Sequence, residues 1–158
     1  MTEQIINVGT NPNDGTGDPL RTAFSKADAD FTDLYTNKLD AAGGTIADYS
    51  EALANDGNSG TALTVNLANG NVQEITLTGN VALSISGAAA SGTDSSVTLF
   101  LIQDATGSRP VTWPATTKWT GGVAPTLSIA AGAIDVVVLT TFDGGTTWFG
   151  FLAGQGMA

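Results

Sequence analysis

Five carboxylates in the second part of the chain, Glu74, Asp94, Asp104, Asp135 and Asp143, are its main candidates for acid–base chemistry, because the 158 residues include neither histidine nor cysteine. That absence removes Ser–His–Asp and Cys–His nucleophiles, His- or thiolate-held metals, disulfides and the usual general base near neutral pH. A glycosidase would need two of these carboxylates facing each other across a sugar cleft. Most of them stand beside Gly or Ser in turn-like contexts, where an Asp typically bonds its own backbone. The expectation is a protein that is not an enzyme and holds no cofactor or metal.

Two further constellations bear weighing. In NPNDGTGD (11–18), Asn11, Asn13, Asp14 and Gly15 resemble the start of a calcium loop, but no Glu follows at the required distance and no helix precedes. Gly15-Thr16-Gly17 ahead of a helix could cradle a phosphate, yet it lacks a third glycine and a lysine, and Asp18 would repel an anion. The stretch therefore reads as a turn. Trp113, Trp119 and Trp148 are candidate platforms for stacking a sugar ring, as of a bacterial surface glycan, against the alternative that they fill the core or seal a subunit interface.

Charge narrows the partners. The net charge is −10, with −7 over residues 1–56 and −3 over 57–158. Five scattered cations cannot neutralise a run of phosphates, so no nucleic-acid partner is expected. No apolar run reaches the length of a membrane span, and no basic segment leads into an apolar one as in an export signal, so neither membrane insertion nor export is expected. Only 13% of residues are charged, about half the usual share. That suits a surface covered in part by copies of itself.

The elements that would position these groups follow from periodicity. EQIINV (3–8) could form a short strand, followed by the turn-rich GTNPNDGTG. Asp18 stands where an N-cap belongs and Pro19 at the first helical position. Leu20, Phe24, Ala27, Phe31 and Leu34 then recur at alternating spacings of four and three, an amphipathic helix with an a/d stripe that Ala23 and Tyr35 widen. A polar, Gly-punctuated stretch follows, and from residue 61 the period becomes two. Strands are predicted at 62–67, 73–79, 80–86, 97–103, 109–113, 125–129, 135–142 and 146–153, separated by turn signals, with 97–103 apolar on both faces like a central strand. This predicts a mainly β protein without a convincing internal repeat: a docking segment with one amphipathic helix at 1–40, a linker at 41–60, and an antiparallel, jelly-roll-like β-sandwich at 61–158.

INVGTNPNDGTGDPLRTAFSKADADFTDLYTN (6–37) resembles a motif near the N-terminus of many phage fibre, baseplate and whisker-type proteins, carried here by Ile6 to Gly9, Asn13 to Asp18, Leu20, Arg21, Phe24 and Phe31. Residues 97–151, with Gln103-Asp104, Trp113-Pro114, Lys118-Trp119 before Gly-Gly, and Asp143-Gly-Gly before Trp148, resemble the C-terminal β domain of many phage and prophage fibre proteins. The resemblance implies a virion-attached structural protein, made in the bacterial cytoplasm. It would be a short fibre, spike or spike base that displays its β-domain for host contact or for a further fibre. The alternatives are a capsid decoration protein and a glycan-cleaving spike enzyme. A homo-oligomer is implied, with a trimer favoured over a pentamer, docked on another virion protein of the baseplate, collar or capsid vertex. Asn13, Asp14, Gly15, Thr16, Gly17, Asp18, Leu20, Arg21, Phe24 and Phe31 would form the docking interface.

Overall fold

In a computed structural model that describes residues 4–11, 14–37 and 49–157, the part of the chain from residue 53 onward, most of it in period-two runs of Val, Leu and Ile, folds into nine strands. The chain divides into two compact units, 1–49 and 50–158. The first holds helix α1 (Leu20–Asn37). The second holds β1 (Leu53–Asn58), β2 (Ala62–Asn66), β3 (Val72–Leu77), β4 (Val81–Ser86), β5 (Ser95–Gln103), β6 (Val111–Thr112), β7 (Thr117–Trp119), β8 (Ile134–Thr141) and β9 (Trp148–Met157). They form a six-stranded sheet in the order β1-β3-β5-β8-β9-β7 and a three-stranded sheet in the order β2-β4-β6.

The mainly β body with one helix ahead of it agrees with the sequence reading; the strand directions do not. β1, β3 and β5 run parallel, and so do β2, β4 and β6. Each turn from β1 to β6 carries the chain across to the other sheet, and the next strand returns beside its predecessor but one. The result is three stacked two-strand coils rather than a jelly roll. Leu53 pairs with Val72 and Ala62 with Ala82, so the first two coils are nearly the same length. This repeat escapes a search for identical letters because only the inward positions match in character: Leu63 lies against Leu83 and Val65 against Ile85. Antiparallel pairing enters with β8, which pairs with β5 and β9.

Other differences have local causes. β1 lies within the span expected to be linker; its letters LANDGN look like a turn, and it carries a register shift at Asn55/Gly57 that bends this sheet edge. Residues 125–129, expected as a strand, form none. The Ser128 N–H and Oγ instead donate to the buried Asp135 carboxylate, at 2.6 and 2.8 Å, and the Gly156 N–H donates to the same group at 2.8 Å. Nor do the described residues of the expected strand at 3–8 form one.

The core lies between the sheets. Val65, Val81 and Leu83 come from the small sheet, and Ile75, Leu77, Val97, Leu99, Leu101, Val137 and Leu139 from the large one. Fully burying a side chain of this kind contributes about 1.5–3 kcal/mol. Two buried glutamines satisfy the coil turns. Gln73 donates to the Asn66 and Gly70 carbonyls, both at 2.8 Å. Gln103 accepts from the Arg109 N–H at 2.8 Å and donates to the Arg109 carbonyl at 3.1 Å, mimicking a strand neighbour.

The two outer faces differ. On the small sheet, alternation sends Ala62, Thr64, Ala82, Ser84, Ser86 and Thr112 outward, and all are exposed. The Thr64 and Ser84 hydroxyls hydrogen-bond at 2.8 Å. On the large sheet the outward positions of β5, β8 and β9 are mostly Phe, Val and Ile, and Phe100, Ile102, Val136, Val138 and Phe149 among them are half-buried.

Candidate functional site: an acid-centred knot beneath an apolar helix stripe

Residues 4–11 and 14–18 are organised around two carboxylates. Asp14 Oδ1 accepts from the Thr16 N–H at 2.9 Å and the Thr16 hydroxyl at 2.7 Å, while Oδ2 accepts from the N–H groups of Asn11 at 2.7 Å and Thr10 at 3.1 Å. The Thr16 hydroxyl and then these backbone donors hold the Asp14 carboxyl at about 2, down from an ordinary 3.8. Asp18 ties the ends of the loop together. Its Oδ2 accepts from the Asn7 N–H at 2.9 Å, and its own N–H donates to the Asn7 carbonyl at 2.8 Å.

The Asp18 carboxylate does not close on the first N–H groups of α1, as its N-cap position predicts. It pairs with Lys26 Nζ at 2.6 Å, and that ammonium also donates to the Ile5 carbonyl at 2.9 Å. The Lys26 bond, followed by that of Asn7, lowers the Asp18 pKa. Gln4 N–H reaches Asp30 Oδ1 at 2.9 Å. Residues 4–7 are thus strapped to the helix by polar bonds. Gly17 makes the closure possible: a Cβ there would stand 3.0 Å from the Asn7 carbonyl oxygen and 3.1 Å from the Gly9 nitrogen.

Because polar bonds hold this unit, its apolar residues are left outward. Leu20, Phe24, Phe31 and Leu34 are all exposed, Phe24 at 67% and Phe31 at 61%, as are Ile5 and Val8. Arg21 is exposed on the same helix and makes no salt bridge among the described residues. Of the predicted interface, Asp14 to Asp18 gather in the knot, Leu20, Phe24 and Phe31 stand on the helix, and Asn13 lies outside the described residues. Lys26 was not singled out in the sequence; its position eight residues after Asp18, two helical turns along, was the available signal.

In the body every one of the five carboxylates accepts a hydrogen bond from the body itself. Glu74 takes the Asn55 amide at 3.0 Å and Asp94 the Thr140 hydroxyl at 2.6 Å. Asp104 takes the Thr106 and Gly107 N–H groups and a salt bridge from Arg109 at 2.9 Å, and the Arg109 bond is the main cause lowering its pKa. Asp143 takes the Thr147 N–H and the Thr141 hydroxyl, both at 2.9 Å, which lower its pKa in the same way. Asp104 and Asp143 act as staples of their own turns, and Glu74 bonds the neighbouring strand β1. The tryptophans separate. Trp148 is 2% exposed and belongs to the core, whereas Trp113 and Trp119 pack edge to face at 5.0 Å and stay half-buried. Trp119 borders a groove of about 260 Å³ with Val123, Pro125 and Leu152.

Residues 59–147, more than half of the chain and all the strands from β2 to β8, match the family described as "Putative phage tail fibre C-terminal domain". The chain belongs to this phage tail-fibre family. No curated protein and no solved structure matches it. A tail-fibre domain makes the protein a structural component of a phage particle, associated with the virion, and points to a structural rather than a catalytic role. The matched region begins just after β1 and ends just before β9, so it takes in β2 to β8 but neither the knot nor α1.

Proposed function

We propose that this tail-fibre protein is a short fibre, spike or spike base that docks on the virion through residues 4–34 and displays its β-body outward, toward the host surface or a further fibre subunit. The observation that carries the reading is the inversion in the first unit, where Leu20, Phe24, Phe31 and Leu34 face solvent while the carboxylates do the holding. An exposed apolar stripe on a preformed helix is a helix-in-groove ligand. The polar knot sets how the chain enters it, so little ordering entropy is lost on docking. Several copies dock together, as a trimer in preference to a pentamer, on a baseplate, collar or vertex protein. Where the body meets the host, the Trp119 groove is the place for a sugar ring to stack.

Phe24→Asp places a charge at the centre of the stripe without touching the knot. The expected result is a soluble, folded protein that is lost from purified particles, measured by immunogold labelling with an antibody to residues 61–158. Wild-type label at the tail tip or collar supports the fibre reading. Label scattered over the capsid would make the chain a decoration protein, and normal incorporation of the variant would refute docking through the stripe.

A further inference from the structure

We infer that the groove between β6 and residues 125–129 takes an extended segment of another protein, which joins the edge of the small sheet as a further strand. The inference stands apart from the docking of the first unit and gives the β-body a partner of its own. The groove encloses about 330 Å³ and is walled by residues 108–111 on one side and 125–129 on the other. The sequence marks both walls as strands. Among the described residues they are joined by a single backbone bond, from the Ser108 N–H to the Ile129 carbonyl at 2.9 Å.

Two prolines stop the walls from zipping together. Pro110 has no N–H to donate, and its carbonyl is taken by the Val81 N–H of β4 at 3.2 Å. Pro125, at the far end of the other wall, lacks an N–H as well. The backbone groups beyond Ser108 and Ile129 are therefore left open. In the parallel pairing of β4 with β6, the bond from Val81 to Pro110 turns the Val111 N–H and C=O away from β4, toward the groove. Across the groove the bonds alternate as along a strand. The Thr126 carbonyl and the Ser128 N–H are held by Gln155 of β9 and Asp135 of β8, on the far side from β6. Leu127 lies between them with its backbone on the groove side, and its N–H and C=O make no hydrogen bond among the described residues.

Open N–H and C=O groups on both walls are what an added strand pairs with. Val111 and Leu127 pack their side chains against the core from either side of the groove. A chain laid between them lies in the plane of the small sheet, and every second side chain falls on the core. The occupant is thus a polypeptide with apolar residues at alternate positions. A sugar ring would find no aromatic face to stack on and no carboxylate or amide for its hydroxyls, since none of the nine lining residues carries one. The charged side chain in the lining, Arg109, is committed to Asp104 at 2.9 Å. The net charge of −10 favours basic over acidic flanks on the incoming segment and disfavours a second copy.

The probe is a capped seven-residue peptide of alternating Val and Thr with a Lys at each end, titrated into the full chain and followed by amide NMR. Expected are shifts and slowed exchange at Val111 and Leu127, with Val138 on the large sheet unmoved. The same peptide N-methylated at its central Val keeps every side chain but loses a backbone donor, and should bind roughly fivefold to tenfold more weakly. Val111→Pro removes the groove-side N–H and spares the β4 side, a setting in which an edge strand accepts proline. It should weaken binding by a similar factor while a circular-dichroism melt shows the body folded. Should the proline prevent folding, the N-methylated peptide on the wild-type chain decides. Equal binding of the two peptides, wild-type affinity in Val111→Pro, or no response to millimolar peptide overturns the inference. So do shifts at Val111 and Leu127 that follow the protein's own concentration or a neutral oligosaccharide instead of the peptide, which would assign the groove to a second copy or a glycan. Virion incorporation of Phe24→Asp reads the docking proposal alone, so the two readings fail separately.

Discussion

The two units of this chain invert each other. In the body, apolar side chains are packed between two sheets, and carboxylates serve at the rim as staples for turns. In the N-terminal unit the carboxylates sit at the organising centre, and the apolar side chains face out. A body built on some ten buried aliphatic side chains draws its stability from area removed from water. A short segment has too little apolar surface for that. It can still hold one conformation when a few carboxylates satisfy several backbone N–H groups each, which frees its apolar residues for a partner. The lesson is that exposed Phe24 and Phe31 are the consequence of how the unit is held.

If the two units are held by different forces, each should fail to a different insult, and the largest effect belongs to the core. Leu99→Ala empties the centre of the body, where Leu99 is fully buried, and should cost about 2–5 kcal/mol in urea unfolding. The exchange protection of the Asn11 and Thr16 amides should stay unchanged; their loss together with the body would break the comparison. A middle effect comes from Gly150→Ala. Gly150 lies beneath the Trp119 ring, into which an added Cβ would run, so the body should lose about 1–3 kcal/mol by overpacking. Movement of the indole should be visible as a change in tryptophan fluorescence.

The smallest effect sharpens the comparison from the other side. The Asp14 pKa is depressed in the folded state, from 3.8 to about 2. Its contribution is therefore complete above the unfolded value and is lost as pH falls through the folded one. NMR of the Asn11 and Thr16 amides should show the knot intact at pH 4 and opening as pH falls toward about 2. Asp14→Asn should weaken the same amides at neutral pH and remove that acid transition. An acid transition unchanged in Asp14→Asn would mean that another group organises the loop.

Much of this was legible in the residues. The four-three spacing from Leu20 marks α1, and alternating Leu, Val and Ile mark β2, β3, β4, β5 and β8 within a residue or two. The turn setting of Asp104 and Asp143 correctly suggested that they bond their own backbone. The N-cap reading of Asp18 missed because Lys26, two turns along, competes for the same oxygen. β1 was hidden because Asn, Asp and Gly are turn formers everywhere except on a bulged edge.

What the sequence determined by itself is which side chains turn inward, since a period of two sorts residues between faces whatever strand lies alongside. It also determined which chemistry is out of reach, since no fold supplies an imidazole or a thiol that the chain lacks. Strand direction and partner were decided by tertiary structure alone. A turn of three to five residues can fold back as a hairpin or cross to the opposite sheet, and the alternation on either side is the same in both. Only the stacking of coil on coil, with Leu63 over Leu83 and Val65 over Ile85, selects the crossing. The antiparallel pairing of β8 with β5 and β9 places the Phe and Val surplus of these three strands on one outer face.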